Sequence, residues 1–439
     1  MKKIRNIYQT IISKENLYRS AYMASRGKRY GDTVADFNFH LEEEIERLHR
    51  ELSEKTYRHG EYRLFTIYEP KERRIAAAPF RDRVVHHAVH DVIEPLIDKT
   101  FIYHSYACRK DKGTHRAADR AQSFLRANRY CFHGDIKKYF PSIDHNILKR
   151  LVGKRIEDKD LLWLINEIID SAKQLAGERV NGLASESANW LTDSQANYSI
   201  GLPIGNLTSQ FFANLYLDEL DYFAKFGLCC RYYIRYMDDF LIFENSKQTL
   251  QKLKQEIRGF LKNMLNLEMH EGKSQIYKTK KGIKFLGFVL FKDHRRLTSD
   301  NVRRFKKRLK RFDYLLNKKE IGLEKVNDSV RAWVAHSKYA NTKRLRFNIW
   351  RRLVKKKGKL MGMPSYIISE NQCCYSYDEQ NDGHYHSLAP FKITSPPIKN
   401  RRAQIRPSIS TKAKEYYIWR DVSRGKLVVR KYASERMAS

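Results

Sequence analysis

The stretch RYYIRYMDDFLIF, residues 231–243, is an apolar run broken at its centre by two adjacent carboxylates, Asp238 and Asp239. Its pattern predicts a strand, a two-residue turn and a second strand. Aspartate is common in turns, but its favoured companion there is glycine, and here the flanks are Met237 and Phe240. Two like charges at the end of buried strands repel unless a cation lies between them. Mg²⁺, a hard ion that takes oxygen ligands, suits such a pair. The residues around the stretch decide between a solvated turn and a metal site.

Upstream, YCFHGDIKKYFPSID (130–144) has a short apolar and aromatic strand pattern that ends at a third carboxylate, Asp135, and is broken by Pro141. A strand over YRLFTIYE (62–69) leads to a basic cluster, Lys71, Arg73 and Arg74, able to clamp a triphosphate, and then through Pro79 to a helix ending near Pro95. Residues 34–52 place Phe37, Leu41, Ile45, Leu48 and Leu52 at helical spacing, which predicts one amphipathic helix. A helix-period segment covers 145–170, and 177–200 reads as a polar insertion loop. SIGLPIGNLTSQFFANLYLDELDYF (199–223) is a turn-rich entry followed by a helix, and 247–265 is helical. IKFLGFVLF (283–291) predicts a second hairpin, followed by basic helices interleaved with aromatics through about residue 354.

A chain of 439 residues suits two or three domains. Its 85 Lys and Arg against 50 Asp and Glu leave a net charge of +35, which calls for an anionic partner, most often a phosphate backbone. The six cysteines contain no CxxC spacing, so neither a disulfide framework nor a zinc knuckle is indicated, and a reducing cytoplasm fits. No window has the apolar length of a membrane span, so no membrane partner is expected. No internal repeat is visible.

Tyr236-Met237-Asp238-Asp239 resembles the YxDD signature of reverse transcriptases, and DIKKYFPSIDH (135–145) resembles their first catalytic motif. GLPIGNLTSQFFANLYLDELD (201–221) is similar to the template- and nucleotide-positioning motif, and GKSQIYKTKKGIKFLGF (272–288) to the lysine-bearing motif and primer grip. PKERRIAAAPFRDRVVHHAV and HSYACRKDKGTHRAADRA resemble the two fingers motifs. Six motifs in the family order over about 60–290 leave chance a poor explanation.

The resemblance implies an α+β right-hand polymerase fold with fingers, an antiparallel palm sheet and a helical thumb, plus a C-terminal extension. The expected divisions are 1–95 for the N-terminal segment and fingers, 96–291 for the palm with the remaining fingers elements, 292–352 for the basic thumb and 353–439 for the extension. It implies an RNA-directed DNA polymerase, a nucleotidyltransferase using two Mg²⁺ ions, with Mn²⁺ able to substitute, held by Asp135, Asp238, Asp239 and the Ile136 carbonyl. Phe140 would be the steric gate against a ribose 2′-hydroxyl, and Lys273 would assist pyrophosphate departure. Lys71, Arg73 and Arg74 would hold the dNTP, Ile204, Gly205 and Gln210 would position nucleotide and template, and Phe285–Phe288 would form the primer grip. The partners implied are a structured template or noncoding RNA, a primer and cDNA product, a small accessory protein and, through the extension, a second copy of the chain.

IGLPIGNLTSQ, APFRDRVVHHAV and AWVAHSKYANTKRLR (332–346) are similar to enzymes of diversity-generating retroelements. Retroviral, intron and retron enzymes usually carry Ser-Pro where this chain has Ser209-Gln210, and many carry Gln where it has Ile204. In the family an aliphatic residue there accompanies error-prone copying at template adenines. The long extension departs from that group and is more typical of anti-phage defence enzymes that work with a noncoding RNA, some of them protein-primed or untemplated. No maturase-like domain or HNH motif is visible, which argues against an intron enzyme, and no second acidic constellation suggests an RNase H. A reading of another class is an RNA-binding scaffold with a lapsed polymerase site. In the tail, Cys373, Cys374, His384 and His386 are poorly spaced for one tetrahedral zinc site.

Overall fold

The computed structural model describes residues 3–68, 72–177 and 199–356, together with the strand segments 416–420 and 427–431. The chain divides into two compact units, Met1–Tyr375 and Ser376–Ser439. Lys71 and the tail residues Cys373, Cys374, His384 and His386 lie outside the described residues, as do nearly all of the extension and the segment read as an insertion loop.

The larger unit is built on a four-stranded antiparallel sheet in the order β4-β5-β3-β6, formed by β3 (Tyr130–Asp135), β4 (Tyr232–Tyr236), β5 (Asp239–Glu244) and β6 (Gln275–Lys278). Successive side chains of a strand face opposite sides. Phe132, Tyr233, Phe240 and Ile242 accordingly join one buried cluster, and Cys131, Ile234, Leu241 and Phe243 the other. Being covered on both faces explains why these strands are nearly continuous apolar runs. The first face packs on helices Leu207–Tyr222 and Lys247–Leu265, whereas the second packs on helix Thr114–Ala127.

A separate hairpin of β1 (Arg63–Ile67) and β2 (Arg73–Ala77) precedes helix Phe80–Asp98. A second, three-stranded sheet of β7 (Ile283–Phe285), β8 (Phe288–Leu290) and β9 (Arg295–Leu297) extends the anticipated hairpin by one strand. The basic helices Ser299–Asn317, Leu323–Ser337 and Lys343–Lys356 follow. Phe305 stacks on Trp333 with ring centroids 4.0 Å apart, and His336 lies 4.6 Å from Phe288, joining helices to sheet. In the smaller unit β10 (Tyr416–Arg420) and β11 (Leu427–Lys431) form an antiparallel pair. The result is the mixture of helices and antiparallel sheets that the resemblance implies.

Three expectations are corrected. Residues 34–52 form two helices, Asp32–Phe39 and Leu41–Ser53, because the chain bends at His40 (φ −100°, ψ 27°), letting Phe37 meet Phe80 edge-on while Ile45, Leu48 and Leu52 enter the main core. The segment 145–170 likewise divides into His145–Arg155 and Lys159–Asp170. Asp158 caps the second helix through Leu161 N–H (3.1 Å) and also accepts from Ile7 and Tyr8 N–H, so the break serves the N-terminus. Helix Phe80–Asp98 continues past Pro95, since a proline in the last turn forfeits one hydrogen bond while Ile93 and Ile97 are buried.

Candidate active site

Three carboxylates mark one end of the four-stranded sheet. Asp135 ends β3 and lies directly opposite Asp239, the first residue of β5, while Tyr236 of β4 pairs with Asp239 from the other side. Asp238 occupies the turn, where its backbone carbonyl accepts from Ile136 N–H at 3.3 Å. The turn is sharp because Met237 adopts a left-handed φ of 56°, a conformation uncommon for a side chain of its size.

The carboxylates are not bare. Lys273 Nζ donates to Asp135 Oδ1 at 2.8 Å, and His133 Nε2 lies 2.5 Å from Asp239 Oδ1. Ser274 Oγ accepts from Asp135 N–H and donates to its carbonyl, both at 3.2 Å, which fixes the end of β3. Burial would lower the His133 pKa, but the hydrogen bond to Asp239 and the charges of Asp239 and Asp135 raise it. Asp238 is pushed up to about 6, first by burial and then by the charges of Asp135 and Asp239.

The cluster thus holds more negative charge than its neighbours neutralise. Hard oxygen donors in such surplus fit a divalent cation. Among the described residues no group of three or more His, Cys, Asp or Glu is already arranged around a metal position; Lys273 contacts Asp135 and His133 contacts Asp239.

Around this end the remaining predicted residues form a chain of backbone contacts. Phe140, half-buried on the short helix Tyr139–Ser142, offers its carbonyl to Leu202 N–H at 2.9 Å. Two residues on, the Ile204 carbonyl accepts from Ala76 N–H of β2 at 3.0 Å. Gly205 follows with φ +124°, and a Cβ there would sit 2.9 Å from Ile75 Cγ2, so glycine allows the loop to lie flat on β2. Arg73 and Arg74 stand on that strand, the first exposed and the second half-buried. Gln210 is exposed, its Oε1 accepting from Cys108 Sγ at 3.3 Å.

Phe285 and Phe288 are buried, at 2% and 0% exposure, and the left-handed pair Leu286 and Gly287 between them is half-buried, Leu286 packing against the second cluster. His133 was not among the expected site residues. Lying two residues before Asp135 it shares a strand face with it, so the period of two was the signal that could have found it.

Residues 68–290 match the family described as reverse transcriptase (RNA-dependent DNA polymerase). The chain is 24% identical over 398 residues to the group II intron-encoded protein LtrA of Lactococcus lactis subsp. cremoris, covering 76% of this chain and 62% of that protein. It is 25% identical over 271 residues to the protein YkfC of Escherichia coli (strain K12), covering 52% and 67% respectively. Among solved structures, apo telomerase from Candida tropicalis superposes with a TM-score of 0.41 at 12% identity, over 55% of this chain and 49% of that one. The chain spans about three fifths of the length of the intron-encoded relative.

Proposed function

Because this chain belongs to the reverse transcriptase family, we propose that it is an RNA-directed DNA polymerase making cDNA from a dedicated structured RNA. The observation that carries this is the in-register opposition of Asp135 and Asp239 beside Asp238. In the reaction, a primer 3′-oxygen forms a bond to the α-phosphorus of a dNTP as the α–β phosphoanhydride bond breaks and pyrophosphate leaves. Asp135, Asp238, Asp239 and the Ile136 carbonyl would hold two Mg²⁺ ions, which when bound supply activation of the 3′-hydroxyl and neutralisation of the leaving group. Arg73 and Arg74, with Lys71, bind the triphosphate as charge-assisted donors. Lys273 holds a proton within reach of Asp135 and serves the departing pyrophosphate once that carboxylate is otherwise engaged. The fingers, palm and thumb divide near residues 95, 291 and 352.

Phe140 closes the sugar side. Phe140→Ala should therefore raise ribonucleotide incorporation relative to deoxyribonucleotide by about tenfold or more, since a contact that excludes one hydroxyl is removed. Competition assays with rNTP and dNTP on one template read this directly, and unchanged discrimination would remove Phe140 from the gate.

Resemblance in the 199–210 and 332–346 phrases, with Ile204 at the template position, supports an error-prone enzyme of the diversity-generating type. The long segment after 352 supports the alternative, a defence enzyme working with a noncoding RNA and priming from protein. A scaffold with a lapsed site is disfavoured, because Lys273 and His133 leave part of the charge of the three clustered carboxylates unmet and a bound cation would meet it. Incorporation of dNTPs on an RNA template, followed by sequencing of the RNA that copurifies, tests these readings. A repeat matching a variable gene indicates diversification, an unrelated compact RNA favours defence, and no incorporation sinks the polymerase.

RNA affinity should also fall steeply with salt, with several contacts contributing to the logarithmic slope, because the helix Ser299–Asn317 alone carries Arg303, Arg304, Lys306, Lys307, Arg308, Lys310 and Arg311. Binding measured between about 50 and 200 mM salt checks this, and a flat response would contradict it.

A further inference from the structure

Arg235, one residue before the Tyr236-Met237-Asp238-Asp239 string, is wholly buried, and so is its partner Asp221. A charge taken out of water is tolerated only when its hydrogen-bonding groups are met. Here Nε donates to Asp221 Oδ1 at 2.7 Å and Nη2 to Asp221 Oδ2 at 2.6 Å, a two-pronged pair. Nη2 also donates to Ser105 Oγ at 3.1 Å, and Nη1 to Asn214 Oδ1 at 3.1 Å. Tyr233 OH donates to Asp221 Oδ1 at 2.6 Å, so the carboxylate is braced from a second side.

A further bond leaves this network. Nη1 donates to the backbone carbonyl of Met237 at 3.1 Å. Met237 is the residue held at a left-handed φ of 56°, directly before Asp238. A side chain of that size holds such a conformation only where its surroundings impose it. Asp221 and Asn214 belong to helix Leu207–Tyr222, which begins at the loop carrying Ile204 and Gly205. The guanidinium therefore joins the turn of the aspartates to the helix that follows the loop lying on β2, through buried bonds to Asp221, Asn214 and Ser105 and a part-buried one to Met237.

We propose that Arg235, braced by Asp221, is a positioning residue for nucleotidyl transfer: by clamping the Met237 carbonyl it fixes the left-handed turn and sets the orientation of Asp238 and Asp239. This rests on the polymerase reading above. Lysine cannot replace it, since an ammonium has no planar fork to span Asp221 and the Met237 carbonyl together. A buried pair that served stability alone would be dispensable in a defined way, because well-packed apolar side chains of similar volume commonly replace buried ion pairs without loss of stability.

The test uses the full chain and compares wild type with the double variant Arg235→Met, Asp221→Leu. The expected result is a thermal midpoint close to wild type and unchanged affinity for an annealed RNA–DNA primer-template. With these, kcat falls on the order of a hundredfold, as small misplacements of reacting groups produce. The KM for dNTP moves little, and the Mg²⁺ concentration for half-maximal rate rises. A folded double variant whose kcat and Mg²⁺ requirement match wild type overturns the proposal, as does activity that merely tracks the thermal midpoint. If the double variant does not fold, Arg235→Lys decides by the same criteria, since it retains a cation for Asp221 and loses the fork. A wild-type chain that incorporates no dNTP would sink the polymerase reading itself, whereas an active wild type with an equally active variant sinks this inference alone.

Discussion

Replacing Asp238 and Asp239 together by alanine is expected to abolish dNTP incorporation on an RNA template, by roughly a thousandfold or more, while leaving the protein folded. The size of the loss follows from the role proposed for the pair. Fixed charges that meet developing charge in a water-poor site contribute about 10²–10³ each when removed singly, and here two go at once. The survival of the fold follows from electrostatics. Burial and the neighbouring Asp135 and Asp239 push Asp238 up to about 6, so at neutral pH its ionised form is disfavoured by the folded surroundings. Deleting it relieves repulsion. A thermal midpoint near wild type, the repulsion relieved at Asp238 offsetting the loss of the His133 contact with Asp239, with RNA binding retained and incorporation lost, is the expected triple result. Incorporation within about tenfold of wild type would remove these residues from the chemistry.

The second large effect is structural. Gly134 lies between His133 and Asp135 in β3 and pairs with Phe240. A Cβ added to it would stand 2.2 Å from Phe240 Cζ and 2.6 Å from Cε1 and Cε2, well inside contact distance. The Phe240 ring cannot simply step aside. It is fully buried, with Phe132 at 5.8 Å and Tyr233 at 6.2 Å between ring centroids. Gly134→Ala should cost about 3 kcal/mol, the upper part of the usual range for overpacking, and disturb Asp135 and Asp239 on either side. Calorimetric or denaturant unfolding measures the first and primer extension the second. Phe240→Leu in the same chain should recover part of the stability by making room. Full stability of the single alanine variant would mean that the sheet opens at this point more easily than its packing implies.

Much of the fold was legible because local and global preferences agree. Helix Lys247–Leu265 has an amphipathic period and a Ser246 cap that accepts from Thr249 N–H, and its expected bounds match. The hairpin around Asp238 was legible for the same reason, its two strands being apolar on both faces. Where the reading failed, tertiary contacts overrode pattern. The bend at His40 answers to Phe80 in another helix, and the break at 156–158 answers to Ile7 and Tyr8. The candidate site divides similarly. Asp135, Asp238 and Asp239 stand at one sheet end, and their motifs could be read directly. Lys273 was expected from its motif and His133 shares the strand face of Asp135 by the period of two, but that each pairs with a carboxylate depends on loop closure and on register. The Phe285 and Phe288 rings, at the ends of paired strands β7 and β8, are buried in the second core cluster.

The order of strands also bears on how the protein is made. β3 lies between β5 and β6, both of which are encoded later, and His133 precedes its partner Asp239 by 106 residues. At about 5–20 residues per second of synthesis, the central strand spends roughly 5–20 s with both hydrogen-bonding edges open. An open apolar strand edge is a template for pairing with another chain. The geometry that places the aspartates face to face in the folded chain thus leaves an inner strand waiting, as the chain is made, for partners that come late in the sequence.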